Sequence, residues 1–263
     1  IRLAEGPDLL QSVMDEIAAR SLPYSIAVMQ ETTGIALPIA PPGANGLPAI
    51  EVQDRVVMLK RNDVDAVETD RGLYAARIPL GPNEFVRGWV RMTVEHDGEP
   101  FHFVATHLET QGSGPTDPIR QVHNGQAFEL ENAILAQLVG TTVLMGDLNS
   151  DAVADPSAPS WTPPYGSLTD AGFLDVWATA PHASPDDGVP CCQEDGVTPR
   201  TPDERIDFVL VRTEAPREDS GNHRGWFRAD VIGTDEADRT PSGLWPSDHA
   251  GIAASIRLPA PMR

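Results

Sequence analysis

The sequence is poor in basic residues and has no long apolar run. Its 19 Lys and Arg residues are outnumbered by 39 Asp and Glu residues, so the formal net charge is -20 at pH 7. This balance disfavours a protein that binds nucleic acid through bulk electrostatic attraction. It does not exclude a nuclease, because a metal ion and a few local arginines can hold one phosphate. Acidity on this scale more often contributes to solubility than to function.

Cysteine is scarce, and targeting signals are not apparent. No apolar run approaches the length of a membrane span, and no basic segment precedes a hydrophobic one as in a signal peptide. The two cysteines, Cys191 and Cys192, are adjacent, so they form either a vicinal disulfide or two buried thiols. We expect a secreted or periplasmic protein, with cytosolic residence left open.

The length and patterning predict one domain of mixed helices and strands. The 263 residues suffice for one large domain, and no internal repeat or clean division appears, so we expect a single domain over residues 1–263. Residues 7–20 carry apolar side chains at spacings of three and four, which predicts an amphipathic helix packed on a sheet. A second helix is predicted over residues 118–138. Pro and Gly predict a surface loop over residues 32–49, and long loops are predicted over residues 151–200 and 213–224.

Apolar runs predict the strands, and polar side chains follow several of them directly. The predicted strands include residues 24–29, 56–59, 85–94, 101–106, 142–145, 205–211 and 226–232, with a short one after residue 250. Four polar motifs lie on or beside strands: Thr106-His107-Leu108, Gly146-Asp147-Leu148-Asn149, Arg205-Ile206-Asp207 and Ser247-Asp248-His249. Taken singly, each motif is explained equally well as a turn, a cap, an ion pair or a half-buried histidine.

In this order the four motifs resemble those of the endonuclease/exonuclease/phosphatase superfamily, which has the deoxyribonuclease I-like fold. The resemblance covers roughly residues 7–256. It implies an α/β (α+β) architecture in which a two-sheet β-sandwich is flanked by helices, in four layers. It also implies hydrolysis of a phosphodiester.

The resemblance implies a role for each motif histidine. His249 is expected to pair with Asp207 and to activate water or bind the phosphate. His107 is expected to pair with Asp54 and to protonate the leaving group. Which of the two histidines is the base and which is the acid stays open.

Four further residues take roles from the same resemblance. Asp147 and Asn149 would orient the nucleophile and the phosphate, and Asp248 would serve the metal. Arg87, in a Phe-x-Arg segment, would bind the phosphate, unless it is only a solvated charge on a strand. Carboxylates with an amide suit Mg²⁺, with Mn²⁺ or Ca²⁺ as substitutes, whereas zinc would prefer a short-spaced His/Cys cluster that is missing here.

One part of the superfamily pattern has no convincing match. Members carry an Asn near their first strand and a metal-binding Glu at the end of the second, and the only Gln-Glu candidate here is Gln30-Glu31. We favour the interpretation in which the helix over residues 7–20 follows that Glu, so that both residues lie before Ile1. The chain alone should then bind Mg²⁺ weakly.

The expected function is therefore that of a metal-dependent phosphoesterase. Its substrate would be a phosphodiester, either nucleic acid (DNA or RNA) or a phospholipid head group. The alternatives are a non-catalytic binding module or scaffold of the same fold, and a different metal-dependent hydrolase. Retention of Asp147, Asn149, Asp207, Asp248 and His249 argues against the scaffold, because a scaffold does not need them.

Overall fold

The structure, a computed structural model, describes residues 8–38, 49–96, 98–114, 116–152, 164–181, 191–193, 204–213 and 226–257. Within these ranges no helix has the length and apolar character needed to span a membrane. Parts of the predicted loops, residues 39–48 and 214–225 among them, lie outside the described residues.

The described chain forms four α-helices and twelve strands. In order they are α1 (Leu9–Ala19), β1 (Tyr24–Pro38), β2 (Ala49–Arg61), β3 (Ala66–Leu73), β4 (Ile78–Leu80), β5 (Asn83–Phe85), β6 (Gly88–His96), β7 (Glu99–His107), α2 (Pro118–Glu129), β8 (Thr141–Asp147), α3 (Pro164–Asp170), β9 (Leu174–Asp175), α4 (Val176–Thr179), β10 (Asp207–Arg212), β11 (Phe227–Ile232) and β12 (Gly251–Ile256). The α2 segment continues through a π-helical turn and a 3₁₀ turn as far as Gln137.

A six-stranded sheet in the order β3-β6-β7-β8-β10-β9 forms the centre of the molecule. Its neighbouring strands are antiparallel except for β7 and β8, which run parallel. Parallel neighbours need a crossover connection, and the helix beginning at Pro118 provides it. This crossover carries the chain back so that β7 and β8 end at the same edge of the sheet.

Both faces of the central sheet are covered, which confirms the predicted sandwich of sheets and helices. Val104, Leu144 and Leu210 point to one face and pack with residues of α2 and α3. Phe103 and Met145 point to the other face, where the hairpins β1–β2 and β11–β12 pack. Each hairpin is a two-stranded sheet of its own.

The first helix forms as predicted, but its apolar face is largely uncovered. Asp8 caps it by accepting hydrogen bonds from the backbone N–H groups of Leu10 and Gln11. None of its residues is buried, and Leu9 and Val13 are 54% and 49% exposed. Among the described residues, the predicted packing of this helix on a sheet is therefore only partly present.

The prediction of a loop over residues 32–49 is wrong for the first part of that range. The strand that begins at Tyr24 continues to Pro38 and pairs along its length with β2. Thr33 anchors the extension, because its buried hydroxyl donates to the Val86 carbonyl at 2.8 Å and accepts from the Val86 N–H at 2.7 Å. Pro38 pairs with Ala49 at the strand end, where a proline is tolerated.

Gly146 occupies a position in the central sheet where a side chain would clash with the neighbouring strand. Its backbone φ is +130°, a value that residues other than glycine rarely adopt. A Cβ at this position would lie 2.0 Å from the Thr106 carbonyl oxygen. Because Gly146 directly precedes Asp147, the same close contact determines where the Asp147 side chain begins.

We predict that Gly146→Ala lowers the free energy of unfolding by roughly 3 kcal/mol or more, since strain at φ and a backbone clash add. Gly172→Ala is the matched control, because Gly172 has a φ of +90° and a Cβ added there would meet nothing within 4 Å. It should cost about 1 kcal/mol. Urea unfolding followed by circular dichroism measures both values, and equal losses would contradict the role of the Thr106 contact.

Candidate active site

Three of the predicted site residues lie side by side because of the strand register. His107 is the register partner of Asp147 in the parallel pair β7–β8. Asp147 is in turn the register partner of Asp207 in the antiparallel pair β8–β10. Each strand also contributes buried apolar residues to the core, Val104, Leu144 and Leu210 among them, so the paired strands bring a row of polar side chains to one edge of the sheet.

His249 joins this row from the segment before β12. Its Nδ1 lies 2.7 Å from Asp207 Oδ2, which is the predicted pair. The hydrogen bond to the carboxylate raises the pKa of His249 to about 9, against a smaller opposing effect of burial. The imidazolium form is therefore the favoured one near neutral pH, and Nε2 is the nitrogen left to face other groups.

His107 is held between an arginine and a carboxylate. Its Nδ1 lies 3.0 Å from Arg87 Nη1, and its Nε2 lies 3.3 Å from Asp147 Oδ2. A guanidinium only donates, so Nδ1 accepts and Nε2 carries the proton. Burial, with the Arg87 charge second, lowers the pKa of His107 to about 4, so the neutral ring is favoured.

The predicted pair of Asp54 and His107 does not form a direct hydrogen bond among the described residues, because Arg87 lies between the two side chains. Arg87 Nη1 donates to Asp54 Oδ2 at 3.2 Å as well as contacting His107. Its Nε donates to Glu109 Oε2 at 3.4 Å, and its side chain is only 9% exposed. Arg87 is thus neither the solvated charge nor a freely projecting phosphate ligand, because two carboxylates hold it. Its predicted contact with phosphate stays a prediction.

Asp147 and Asn149 form a tight turn at the end of β8. The Asn149 N–H donates to Asp147 Oδ1 at 2.7 Å, and its side-chain amide donates to the Leu108 carbonyl at 2.9 Å. Asn149 adopts a φ of +47°, which asparagine tolerates better than most residues. Burial, followed by the charge of Asp207, raises the pKa of Asp147 to about 7.

The side chains that could hold a metal ion include part of the predicted set. Ligand atoms of Asp147, Asp207 and His249 lie within 4.8 Å of one another. Asp248 is exposed and belongs to no such group among the described residues, although its charge contributes to the raised pKa of His249. Glu31 is also outside these groups, with its side chain 60% exposed and 3.9 Å from Arg55.

Sequence reasoning missed two features of the site. Glu109 is buried beside Arg87, and the only signal for it is an acidic residue directly after Thr-His-Leu. Cys191 Sγ lies 3.6 Å from His249 Nε2, although the two residues are 58 positions apart. Arg205, an alternative partner for Asp207, instead forms a buried ion pair with Asp175.

We predict that Glu109→Gln lowers the free energy of unfolding by roughly 3 kcal/mol, because Arg87 would keep a buried charge with one carboxylate fewer. Glu68→Gln is the control, since Glu68 also pairs with an arginine, Arg91, but is 58% exposed. It should change stability by no more than about 1 kcal/mol. Urea unfolding compares the two variants, and a loss in Glu109→Gln as small as in the control would contradict a buried charge network.

Comparison with known proteins identifies the fold. No family profile and no curated protein sequence matches the chain. An endonuclease/exonuclease/phosphatase family protein from Leptotrichia buccalis has a similar structure, with a TM-score of 0.61, 14% identity, and coverage of 98% of this chain and 84% of that one. A protein of the same description from Beutenbergia cavernae has a TM-score of 0.57 and 20% identity, and the match covers 98% of this chain and 60% of that one. Truncated TDP2 from Caenorhabditis elegans has a TM-score of 0.51, 17% identity, and coverage of 97% and 82%. The chain therefore has the fold of endonuclease/exonuclease/phosphatase proteins, as its four motifs predicted.

Proposed function

We propose that this protein is a metal-dependent phosphoesterase that hydrolyses a phosphodiester at the edge of the central sheet. The observation that carries the proposal is the continuous row of His107, Asp147, Asp207 and His249, held by strand register and by the 2.7 Å contact between His249 and Asp207. The shared fold of the endonuclease/exonuclease/phosphatase proteins supports it.

The hydrogen bonds support distinct roles for the two histidines. His249 has a carboxylate behind Nδ1, so its Nε2–H is suited to face charge on a phosphoryl or leaving oxygen and to donate a proton there. Its Nε2 lies 3.6 Å from Cys191 Sγ, which is only a weak acceptor, whereas the ring nitrogens of His107 contact the Arg87 guanidinium and the Asp147 carboxylate. We therefore assign the leaving-group proton to His249, and we assign His107 to positioning Asp147.

In this proposal Asp147 and Asn149 act on the attacking water molecule. The Asp147 carboxylate has one oxygen on the Asn149 N–H and the other beside His107, so its orientation is fixed from two directions. A carboxylate so oriented can accept a proton from an attacking water molecule. Asn149 fixes the turn through the Leu108 carbonyl. Asp54 and Arg87 support this arrangement from behind His107.

The donors present fit a hard divalent cation. Asp147 and Asp207 bring carboxylate oxygens close together, and such oxygens are the ligands that Mg²⁺, Mn²⁺ or Ca²⁺ binds. These two residues would hold the ion, with the exposed Asp248 as a further carboxylate from the neighbouring segment. A bound cation would neutralise charge on the phosphoryl group.

Net charge and cysteine chemistry bear on the substrate and the compartment that we propose. With a net charge of -20, affinity for a polyanion would have to come from the site itself, so nucleic acid and a phospholipid head group both remain in the proposal. A secreted or periplasmic location is supported by the Cys191–Cys192 disulfide, because disulfides persist in oxidising compartments.

We predict that His249→Ala and Asp147→Ala each lower kcat by roughly 10²- to 10⁴-fold, because each removes a proton-transfer group. The measurement is hydrolysis of bis(4-nitrophenyl) phosphate at saturating Mg²⁺, with thermal unfolding to confirm that both variants fold. His96→Ala and Asp170→Ala are the matched controls, because both side chains are exposed and lie outside the row. Near-full activity in either site variant would contradict the assignment of proton transfer to these two residues.

We also predict that chelation by EDTA abolishes this hydrolysis and that added Mg²⁺ restores it. Calorimetry should show weaker Mg²⁺ binding in Asp147→Ala and unchanged binding in Glu31→Gln, because Glu31 is exposed and lies beside Arg55. Loss of Mg²⁺ binding in Glu31→Gln would identify Glu31 as the ligand and overturn our interpretation of the motif. Full activity after exhaustive chelation would contradict metal dependence.

A further inference from the structure

The two cysteines are held directly against the candidate active site. Cys191 is fully buried, and its backbone pairs with Glu204, with N···O distances of 3.3 and 3.2 Å. Two residues later, the Gln193 N–H donates to the Asp248 carbonyl at 2.6 Å. These contacts bring Cys191 Sγ to 3.6 Å from His249 Nε2. The disulfide thus borders the nitrogen to which we assign the leaving-group proton.

His249 already has the environment that metal-binding histidines usually have. Such a histidine gives one ring nitrogen to a carboxylate and presents the other to the ion, and the carboxylate sets the tautomer. Asp207 occupies Nδ1 at 2.7 Å, so Nε2 faces the sulfur atoms. The ligand atoms of Cys191, Cys192 and His249 all lie within 4.8 Å of one another.

We propose that reduction of the Cys191–Cys192 disulfide creates a second metal site, formed by Cys191, Cys192 and His249, for a borderline-soft cation such as Zn²⁺. Two thiolates and an imidazole are typical zinc donors, and three protein ligands leave one position of the tetrahedron for water. This donor set differs from the carboxylate oxygens proposed for Mg²⁺, although His249 lies next to both.

The site exists only after a redox step. While the sulfurs are bonded to each other, neither can act as a thiolate. A dithiol reductant transfers two electrons and two protons, so the S–S bond breaks, two thiols form, and the reductant becomes a disulfide. As it binds, Zn²⁺ displaces the two thiol protons and the Nε2 proton of the His249 imidazolium.

Occupation of this site should inhibit the enzyme. A metal bound to Nε2 of His249 prevents that nitrogen from donating a proton to the substrate. This consequence therefore rests on the proposed function. Reduction in the presence of zinc would switch hydrolysis off, and reoxidation with chelation would restore it. The binding of metal itself is independent of the reaction.

Cobalt spectroscopy on the full chain tests the site without relying on activity. The protein is reduced with tris(2-carboxyethyl)phosphine, whose phosphorus gives two electrons to the disulfide and takes an oxygen atom from water to become the phosphine oxide. The protein is then desalted anaerobically and titrated with Co²⁺. We expect one tightly bound Co²⁺, with a thiolate-to-cobalt absorption band that added Zn²⁺ abolishes. The oxidised protein and the Cys191→Ser/Cys192→Ser double variant should show no band. Mass spectrometry confirms the redox state.

Variants of the histidine pair separate this site from a site made of cysteines alone. Asp207→Asn should weaken Co²⁺ binding by about 10- to 100-fold, the effect typical of losing the group behind a metal-binding histidine. His249→Ala should weaken it at least as much. A band of undiminished affinity in both variants, or no band in the reduced parent, would overturn the proposal.

Measurements of hydrolysis show whether the zinc inference or the proposed function is wrong. One equivalent of Zn²⁺ should inhibit the reduced parent and leave the oxidised parent and the double serine variant active. Inhibition of all three forms to the same degree would contradict the inference. If the parent does not hydrolyse the phosphodiester at all, the proposed function fails, while the cobalt band still decides the metal site.

Discussion

The candidate site depends on the alignment of three strand ends: β7 and β8 end there, and β10 begins there. Backbone register alone makes His107, Asp147 and Asp207 neighbours, because each is the pairing partner of the next. The alignment requires Gly146, since any side chain there would meet the Thr106 carbonyl. A glycine with no chemistry of its own therefore determines the geometry of the residues that have it.

Charge compensation behind the row keeps its polar groups in place. Arg87 is buried between Asp54 and Glu109 and also contacts His107, so one cation fixes two carboxylates and an imidazole. Removing one member of such a buried set leaves another without its partner, which couples the stability of the fold to the geometry of the site. Groups held in this way need little reorganisation when a charged substrate binds.

His249 connects the candidate catalytic row with the disulfide. Asp207 orients its ring, and the same orientation points Nε2 towards both the site and the sulfur of Cys191. One imidazole therefore borders carboxylate oxygens on one side and sulfur on the other. The proposed redox-dependent zinc site is a consequence of this shared position.

Local patterns determined much of the architecture and the choice of candidate site residues. The spacing of apolar residues located α1 and β8, and the polar motifs at strand ends located the four residues of the row, because both signals depend only on neighbours in the chain. Contacts between distant segments decided the rest. The strand extension at Thr33 depends on Val86. The position of Cys191 depends on Glu204 and His249. No local propensity encodes which of these residues meet, since packing and strand register, which exist only in the folded chain, choose those partners.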